Sequence, residues 1–174
     1  MEIKEQSGLR QVMAGTPIPK MCRVRQIFKR DEIEDIPAYL REKLDNPELR
    51  SRIKPGMRVV LTGSSRQIAN MPVILRELAT FVKEQGAQPY IIPAMGSHGG
   101  ATSQGQRQIL TDYGITEEAM GCPVKSDMDT VQIGYTEKKH LPVQMDKNAA
   151  ESDGIILFNR IKPHTSFRGP YESG

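Results

Sequence analysis

Residues 91–103 read Ile-Ile-Pro-Ala-Met-Gly-Ser-His-Gly-Gly-Ala-Thr-Ser, and this stretch decides the predicted fold. A short apolar run ends at Pro93, and His98 follows between residues that are too small to bury an imidazole. Thr102 or Ser103 can then cap the start of a helix. We therefore expect a strand, a loop that presents His98 to a ligand, and a helix. A histidine in an ordinary surface turn is the alternative.

The same order of elements precedes this stretch. Met57–Thr62 is a mostly apolar, β-branched run of strand length that follows a turn at Lys54–Gly56. Apolar residues then recur at helical spacing from position 71 to position 82, with Asn70 as the expected cap. Strands that alternate with helices over short turns predict an α/β fold with a largely parallel central sheet flanked by helices.

The other predicted elements extend this pattern on both sides. They are an exposed strand at Met21–Phe28, a helix at Asp31–Lys43, a helical turn from Thr116, a hairpin of Thr130–Tyr135 and Leu141–Met145, a short helix at Asp146–Glu151, and a last, buried strand at Asp153–Phe158. Residues 1–53 are thus predicted to be a lead-in strand and helix that pack on the main domain. Residues 54–174 are predicted to be that main α/β domain, truncated at its carboxyl end because the chain stops in a turn-like sequence.

Composition narrows the function classes. Aromatic residues make up only 5% of the chain, which argues against stacking platforms for single-stranded nucleic acid. The formal net charge of +3 is spread along the chain, so we expect a small anionic partner and no nucleic acid. Cys22 and Cys122 match no metal-ligand spacing, and the chain has no secretory signal or long apolar run. We expect a cytoplasmic protein that does not bind membranes, and a homo-oligomer is left open.

Three predicted strands are each followed by a loop with a side chain that can bind an anion or take part in catalysis. Arg66 follows the first of these strands, His98 the second and His164 the third. In open parallel sheets, ligands bind beyond the carboxyl ends of the strands, where the winding of the chain reverses. We therefore expect Arg66, His98 and His164 to lie at one edge of the sheet.

Arg66 and His98 each suit a chemical role. Arg66 can clamp a carboxylate or a phosphate beside the hydroxyls of Ser64 and Ser65, although a solvated loop arginine would show the same pattern. Imidazoles titrate near neutral pH, so His98 suits acid/base catalysis or metal ligation.

His164 lies in the segment Lys162-Pro-His-Thr165. Pro163 restricts the backbone and so limits where the imidazole of His164 points. Lys162 and two nearby arginines surround it with positive charge, which suits an anionic substrate and favours a neutral imidazole that can act as a base.

Three ordered segments resemble the N-terminal domain of the nickel-pincer lactate racemase family, namely Leu61-Thr-Gly-Ser-Ser-Arg66, Ala94-Met-Gly-Ser-His-Gly-Gly-Ala-Thr102 and Asn159-Arg-Ile-Lys-Pro-His-Thr165. The resemblance covers roughly residues 54–174. It implies a Rossmann-like α/β domain that forms the N-terminal portion of a larger two-domain protein. It also implies an isomerase, a racemase or epimerase whose small-molecule substrate is a 2-hydroxy acid.

The resemblance also implies roles for individual residues. His98 and His164 would alternate as acid and base on the substrate hydroxyl, one on each side of the carbon. Arg66 would hold the substrate carboxylate or an anionic part of the cofactor. Further contacts to substrate or cofactor are implied for Ser64, Ser65, Gly99, Gly100 and Lys162.

The implied cofactor is a nickel-pincer nucleotide, in which a pyridinium-derived dithiocarboxylate holds nickel and the nickel takes the substrate hydride. The lysine that anchors this cofactor and the histidine that ligates nickel would lie beyond Gly174. We therefore expect this chain to contain no metal ligand and to be inactive on its own.

The chain departs from the family pattern at two positions. Gly63 stands where the racemases usually carry an acidic residue, and Gly99 stands where they carry an arginine. Contacts to the cofactor or the substrate can therefore differ, and so can the substrate itself.

Two other functions remain open from the residues alone. A non-catalytic domain would bind a carboxylate or a sugar acid through Arg66 and Lys162. A metal-dependent hydrolase would use His98 and His164 as ligands, but no Asp or Glu lies beside either histidine at ligand-like spacing, which disfavours it.

Overall fold

The fold is taken from a computed structural model, in which residues 13–17, 19–29, 31–66, 68–162, 166 and 168–170 are described. The chain divides into two compact units, Met1–Glu32 and Ile33–Gly174. In the first unit the predicted strand at Met21–Phe28 is wrong, because none of its residues is in a strand and the side chains of Met21 and Ile27 are exposed. An extended segment becomes a strand only when it pairs with another, and the described part of this unit contains no such partner.

The second unit alternates helices and strands. In its described residues the elements are, in chain order, α1 (Ile36–Leu44), α2 (Pro47–Arg52), β1 (Arg58–Gly63), α3 (Met71–Glu84), β2 (Gln88–Pro93), α4 (Ser103–Asp112), α5 (Glu117–Met120), β3 (Thr130–Tyr135), β4 (Pro142–Asp146), α6 (Lys147–Ala150) and β5 (Gly154–Ile156). The helices, strands and hairpin predicted for this part of the chain are present, with ends shifted by a few residues. No helix among the described residues is long and apolar enough to cross a membrane.

The strand β1 is the centre of a parallel sheet with the order β2-β1-β5. Leu61 of β1 lies beside Ile91 of β2 on one side and beside Ile156 of β5 on the other. The chain passes from β1 to β2 through α3 and later returns to the opposite side of β1 as β5. The predicted α/β fold with a parallel sheet flanked by helices is therefore confirmed, and the winding reverses beside β1.

Both faces of β1 are covered by apolar side chains. Successive residues of a strand point to opposite faces of the sheet. Leu61 and Ile91 pack on one face with α3 and with Leu110 of α4, whereas Val60 packs on the other face with Ala149 of α6. Cover on both faces explains why β1 is a continuous apolar run rather than an alternating one.

The helix α3 and its N-cap residue, Asn70, are where the sequence predicts them, but the capping hydrogen bond is absent. Asn70 occupies the N-cap position, yet its side chain makes no capping hydrogen bond. Its φ of 59° is in the left-handed region, which asparagine tolerates better than most residues, whereas a capping residue is usually extended. Pro72 in the first turn has its φ pre-set for a helix instead.

The strand β5 is shorter and less buried than the sequence predicts. It spans Gly154–Ile156 rather than Asp153–Phe158, and Ile155 is 39% exposed and Leu157 is 77% exposed. Its apolar residues favoured a central strand, but among the described strands β5 pairs only with β1 and therefore lies at an edge. The prediction that this strand is buried is therefore wrong for Ile155 and Leu157, whereas side chains on β1 and β2 are packed on both faces.

The packing of α3 can be tested by truncating its buried face. Leu75→Ala should lower the free energy of unfolding by about 2–5 kcal/mol, because Leu75 is 0% exposed and its loss leaves a cavity against the sheet. Val73 lies on the same helix but is 39% exposed, so Val73→Ala should change that free energy by about 0.5 kcal/mol or less. Urea unfolding followed by circular dichroism measures both variants. Equal losses would contradict this packing of α3.

The two cysteines should differ in reactivity. Burial raises the pKa of the Cys122 thiol, and the positive charge of nearby Lys83 opposes this shift less strongly. Cys22 is exposed. A disulfide reagent at neutral pH should therefore modify Cys22 in the folded protein and Cys122 only after unfolding, since the thiolate is the reactive form. Rapid modification of both thiols in the folded protein would contradict the burial of Cys122.

Candidate active site

The carboxyl end of β1 is joined to the segment after β5 by a buried threonine. The backbone N–H of Phe158 donates to Thr62 Oγ1 at 2.8 Å, and the Thr62 hydroxyl lies 3.2 Å from the Phe158 carbonyl oxygen, to which it donates. This side chain replaces the backbone pairing that ends at Ile156 and holds Phe158 against β1. Sequence reasoning did not single out Thr62, although a threonine that closes an apolar strand was a usable signal.

The ends of β1, β2 and β5 meet around one open cleft of about 500 Å³. The loop after β1 contributes Ser64, Ser65 and Arg66, the loop after β2 contributes His98, and the segment after β5 contributes Lys162. The sequence predicted that these strand ends would converge, and the described residues do lie together. The cleft lies where the winding of the chain reverses, which is the usual ligand position in such sheets.

The charge of the cleft is positive. Arg66, Arg160 and Lys162 line it, and no acidic residue is among its described lining residues. None of these three cations forms an ion pair with a described carboxylate. Cations that lack a protein partner favour an anionic ligand, and an arginine can grip a carboxylate or a phosphate with two hydrogen bonds.

The loop after β1 is a turn that projects Arg66 into the cleft. The backbone N–H of Arg66 donates to Ser64 Oγ at 3.3 Å, a serine turn of the kind that shapes tight loops. The hydroxyl of Tyr113 donates to the Ser65 carbonyl oxygen at 3.0 Å, which ties the loop to the end of α4. Sequence reasoning did not single out Tyr113, so this hydrogen bond was missed.

His98 is exposed to the cleft and held by neighbours on two sides. Its Nδ1 is hydrogen-bonded to Ser65 Oγ. The side-chain amide of Gln106 donates to the Gly96 carbonyl oxygen at 2.8 Å and to the His98 carbonyl oxygen at 3.3 Å. Gln106 is only 6% exposed, so these bonds satisfy a buried amide and fix the loop at the same time. Sequence reasoning missed Gln106, because a polar residue on a helix is usually on its solvent side.

Gly99 and Gly100 are close to the cleft in sequence but are not among its lining residues. They belong to a 3-10 turn, Gly99–Ala101, that packs against the start of α4. Gly99 has a φ of +66°, and a Cβ there would lie 2.5 Å from the Gly105 carbonyl carbon. Thr102 confirms one of the two predicted caps of α4, since its Oγ1 accepts from the Gly105 N–H at 3.1 Å. The predicted ligand contacts of Gly99 and Gly100 stay predictions.

A family model described as the lactate racemase N-terminal domain matches residues 18–170. The chain belongs to this family. No curated protein and no solved structure matches the chain. The match includes all three strand ends, and it confirms the resemblance found in the sequence motifs. It also assigns the chain to a racemase family, and so to a family of isomerases.

The second histidine of the motif set lies outside the described residues. His164 follows Lys162 in a segment for which the structure gives no placement, so its position relative to His98 stays a prediction. Among the described residues no group of three or more His, Cys, Asp and Glu side chains is arranged to hold a metal ion. In this lactate racemase-family chain the described cleft therefore provides cations and hydroxyls.

The contact between Gly99 and α4 yields a stability test. Alanine is normally favoured over glycine in a helix by about 1 kcal/mol, but a Cβ at position 105 of α4 would lie 1.9 Å from the Gly99 carbonyl oxygen. We therefore expect Gly105→Ala to destabilise the domain by about 2 kcal/mol or more in urea unfolding, because backbone atoms must move. Gly134→Ala is the control, since its Cβ would meet no atom within 4 Å. Stabilisation by Gly105→Ala would contradict the close packing of the loop.

Proposed function

We propose that this chain is the N-terminal catalytic domain of a racemase or epimerase that acts on a 2-hydroxy acid, within a larger enzyme. The observation that carries the proposal is the cleft in which Arg66, Lys162 and His98 lie together. The two cations can bind the carboxylate of a 2-hydroxy acid, and the nearby imidazole can exchange a proton with its hydroxyl. Cytoplasmic location belongs to the proposal as an expectation, and the oligomeric state is left open.

The carboxylate of the substrate would be bound by Arg66. Its guanidinium group can donate one hydrogen bond to each carboxylate oxygen. Lys162, in the segment after β5, adds a second positive charge to the cleft. The cleft has no described acidic side chain that would compete for these cations. Binding here would place the carbon that carries the hydroxyl near the loops after β2 and β5.

The imidazole of His98 would exchange the hydroxyl proton. When the hydride leaves the carbon, the hydroxyl must lose its proton, and the return of the hydride requires that proton back. Because Nδ1 is engaged by Ser65 Oγ, Nε2 of His98 is the nitrogen that is free to exchange it. Inversion needs such a group on each face of the carbon, and His164 is proposed as the second.

A nickel-pincer nucleotide would supply the hydride acceptor. Its phosphate-bearing, anionic organic part fits a cleft lined by Arg66, Arg160 and Lys162 and by the hydroxyl of Ser64. The described residues provide no cluster of metal ligands, so in this proposal they hold the organic group and leave nickel to ligands elsewhere in the enzyme.

The glycine at position 63 supports a change in substrate or cofactor contacts within the family. A Cβ at this position would lie 2.8 Å from Leu110 Cδ2, and Leu110 is fully buried and has little room to shift. The acidic side chain that the resemblance implies for the racemases would therefore require Leu110 of α4 to move. We propose that this enzyme binds its ligand through cations and hydroxyls alone at this edge.

The proposal is tested with the complete enzyme, produced together with the enzymes that make the cofactor. It should interconvert the enantiomers of at least one member of a panel of 2-hydroxy acids. His98→Gln should lower kcat by at least about 100-fold in both directions, because the proton transfer is lost. A loss smaller than about tenfold in both directions would contradict the acid/base role.

A second variant separates binding from chemistry. Arg66→Lys keeps the positive charge but loses the guanidinium group that can donate two parallel hydrogen bonds to a carboxylate. It should therefore raise KM by about tenfold, which corresponds to the loss of one charge-assisted hydrogen bond. Arg50→Lys is the matched control, because Arg50 pairs with Asp45 away from the cleft and should have no effect. Binding of a hydroxy acid without turnover across the panel would favour the non-catalytic binding domain. Zinc bound in a one-to-one ratio and lost in His98→Gln would favour the hydrolase.

A further inference from the structure

Ser65, the residue before Arg66, lines the cleft and also contacts the imidazole of His98. Ser65 Oγ is hydrogen-bonded to Nδ1 of His98, and both residues lie at the cleft on neighbouring strand ends. The two ring nitrogens of a histidine are distinct, and the partner of one decides the protonation of the other. Ser65 is therefore in a position to control what the Nε2 atom of His98 can do.

We propose that Ser65 is a positioning residue that holds His98 as the tautomer with its proton on Nδ1 and its Nε2 free to accept a proton from the substrate. This inference rests on the proposed function, in which His98 is an acid/base residue, and it gives Ser65 a role other than ligand contact. The Nδ1–H donates to Ser65 Oγ, and the hydroxyl accepts.

The chemistry of the two protonation states supports this direction of the hydrogen bond. A serine hydroxyl can donate or accept, whereas both nitrogens of a protonated imidazole are donors. If Ser65 accepts from Nδ1–H in the neutral state, the same bond persists when Nε2 gains a proton. If Ser65 donated to Nδ1, the proton would already be on Nε2 and His98 could not act as a base without rearrangement. Only the accepting arrangement lets a proton come and go at Nε2 while the ring stays fixed.

The helix α4 holds both partners of this hydrogen bond. Gln106 donates to the carbonyl oxygens of Gly96 and His98, and Tyr113, seven residues later, donates to the Ser65 carbonyl oxygen. Residues seven apart lie on the same face of a helix. One face of α4 therefore contacts both loops. The first turn of the helix holds the loop after β2, and the end of the helix holds the loop after β1. The spacing between Ser65 and His98 is thus set by a rigid element rather than by two mobile loops.

The direct test is heteronuclear NMR of the imidazole nitrogens in the folded chain. The chain has three histidines, so single His→Asn variants assign the signals. In the unaltered chain at a pH where His98 is neutral, the proton should be on Nδ1. Ser65→Ala should shift the nitrogen signals toward the tautomer mixture of an unrestrained imidazole, and Ser65→Thr should restore the Nδ1–H pattern because it retains a hydroxyl.

Two further variants separate positioning from general disturbance of the loop. Ser97→Ala is the control, because Ser97 adjoins His98 but is not among the described residues that line the cleft, and it should leave the nitrogen signals unchanged. Tyr113→Phe removes only the bond to the Ser65 carbonyl and should broaden or partly shift them. Identical signals in the unaltered chain and Ser65→Ala, or a proton on Nε2 in the unaltered chain, would overturn the proposal.

The kinetic test uses the complete, cofactor-loaded enzyme. Ser65→Ala should lower kcat by about 10- to 100-fold, as does removal of the partner that orients a metal-ligating histidine, with KM changed far less. An unchanged kcat, or a loss confined to KM, would overturn the positioning role and favour simple ligand contact. If the unaltered enzyme has no racemase activity, the proposed function fails, whereas the NMR result still decides the state of His98.

Discussion

The candidate site depends on the parallel pairing of β1 with one strand on each side. This pairing brings three carboxyl ends to the same edge, so that residues almost a hundred positions apart, such as Arg66 and Lys162, line one cleft. Thr62 extends the pairing past the end of β5 with its side chain and keeps Phe158 at that edge. Because the core covers β1 on both faces, the strand that carries Arg66 at its end is held by packing on two sides.

The second constraint is the close approach of α4 to the loops above the sheet. Gly63 and Gly99 both lie close to this helix, since a Cβ at Gly63 would meet Leu110 and a Cβ at Gly99 would meet Gly105. A helix this close favours glycine at both positions, and it brings Gln106 into hydrogen-bonding distance of the His98 loop.

Much of this arrangement could be predicted from the sequence, because strand length, helical spacing and glycine turns are local signals. The parallel sheet and the convergence of its loops followed from those signals and from general rules of chain winding. The errors at Met21–Phe28 and β5 have a common origin. Apolar composition indicates that a segment can form a buried strand, but it does not show whether a partner strand lies beside it. Gln106 and Thr62 were missed because their roles depend on contacts that only the folded chain creates. The role of His164 lies outside the described residues and stays a prediction.

The strand order supports the proposed exchange of a proton on each face of a carbon. In a 2-hydroxy acid the carboxylate and the hydroxyl are attached to the same carbon, so the groups that bind them must lie close together. Neighbouring strands are about 4.8 Å apart, and β1 supplies the arginine while β2, next to it, supplies His98. The second histidine of the motif set, His164, follows β5 in the sequence and lies outside the described residues. In the proposed function, an anion clamp after the central strand and one histidine after each neighbouring strand would serve a two-sided proton exchange.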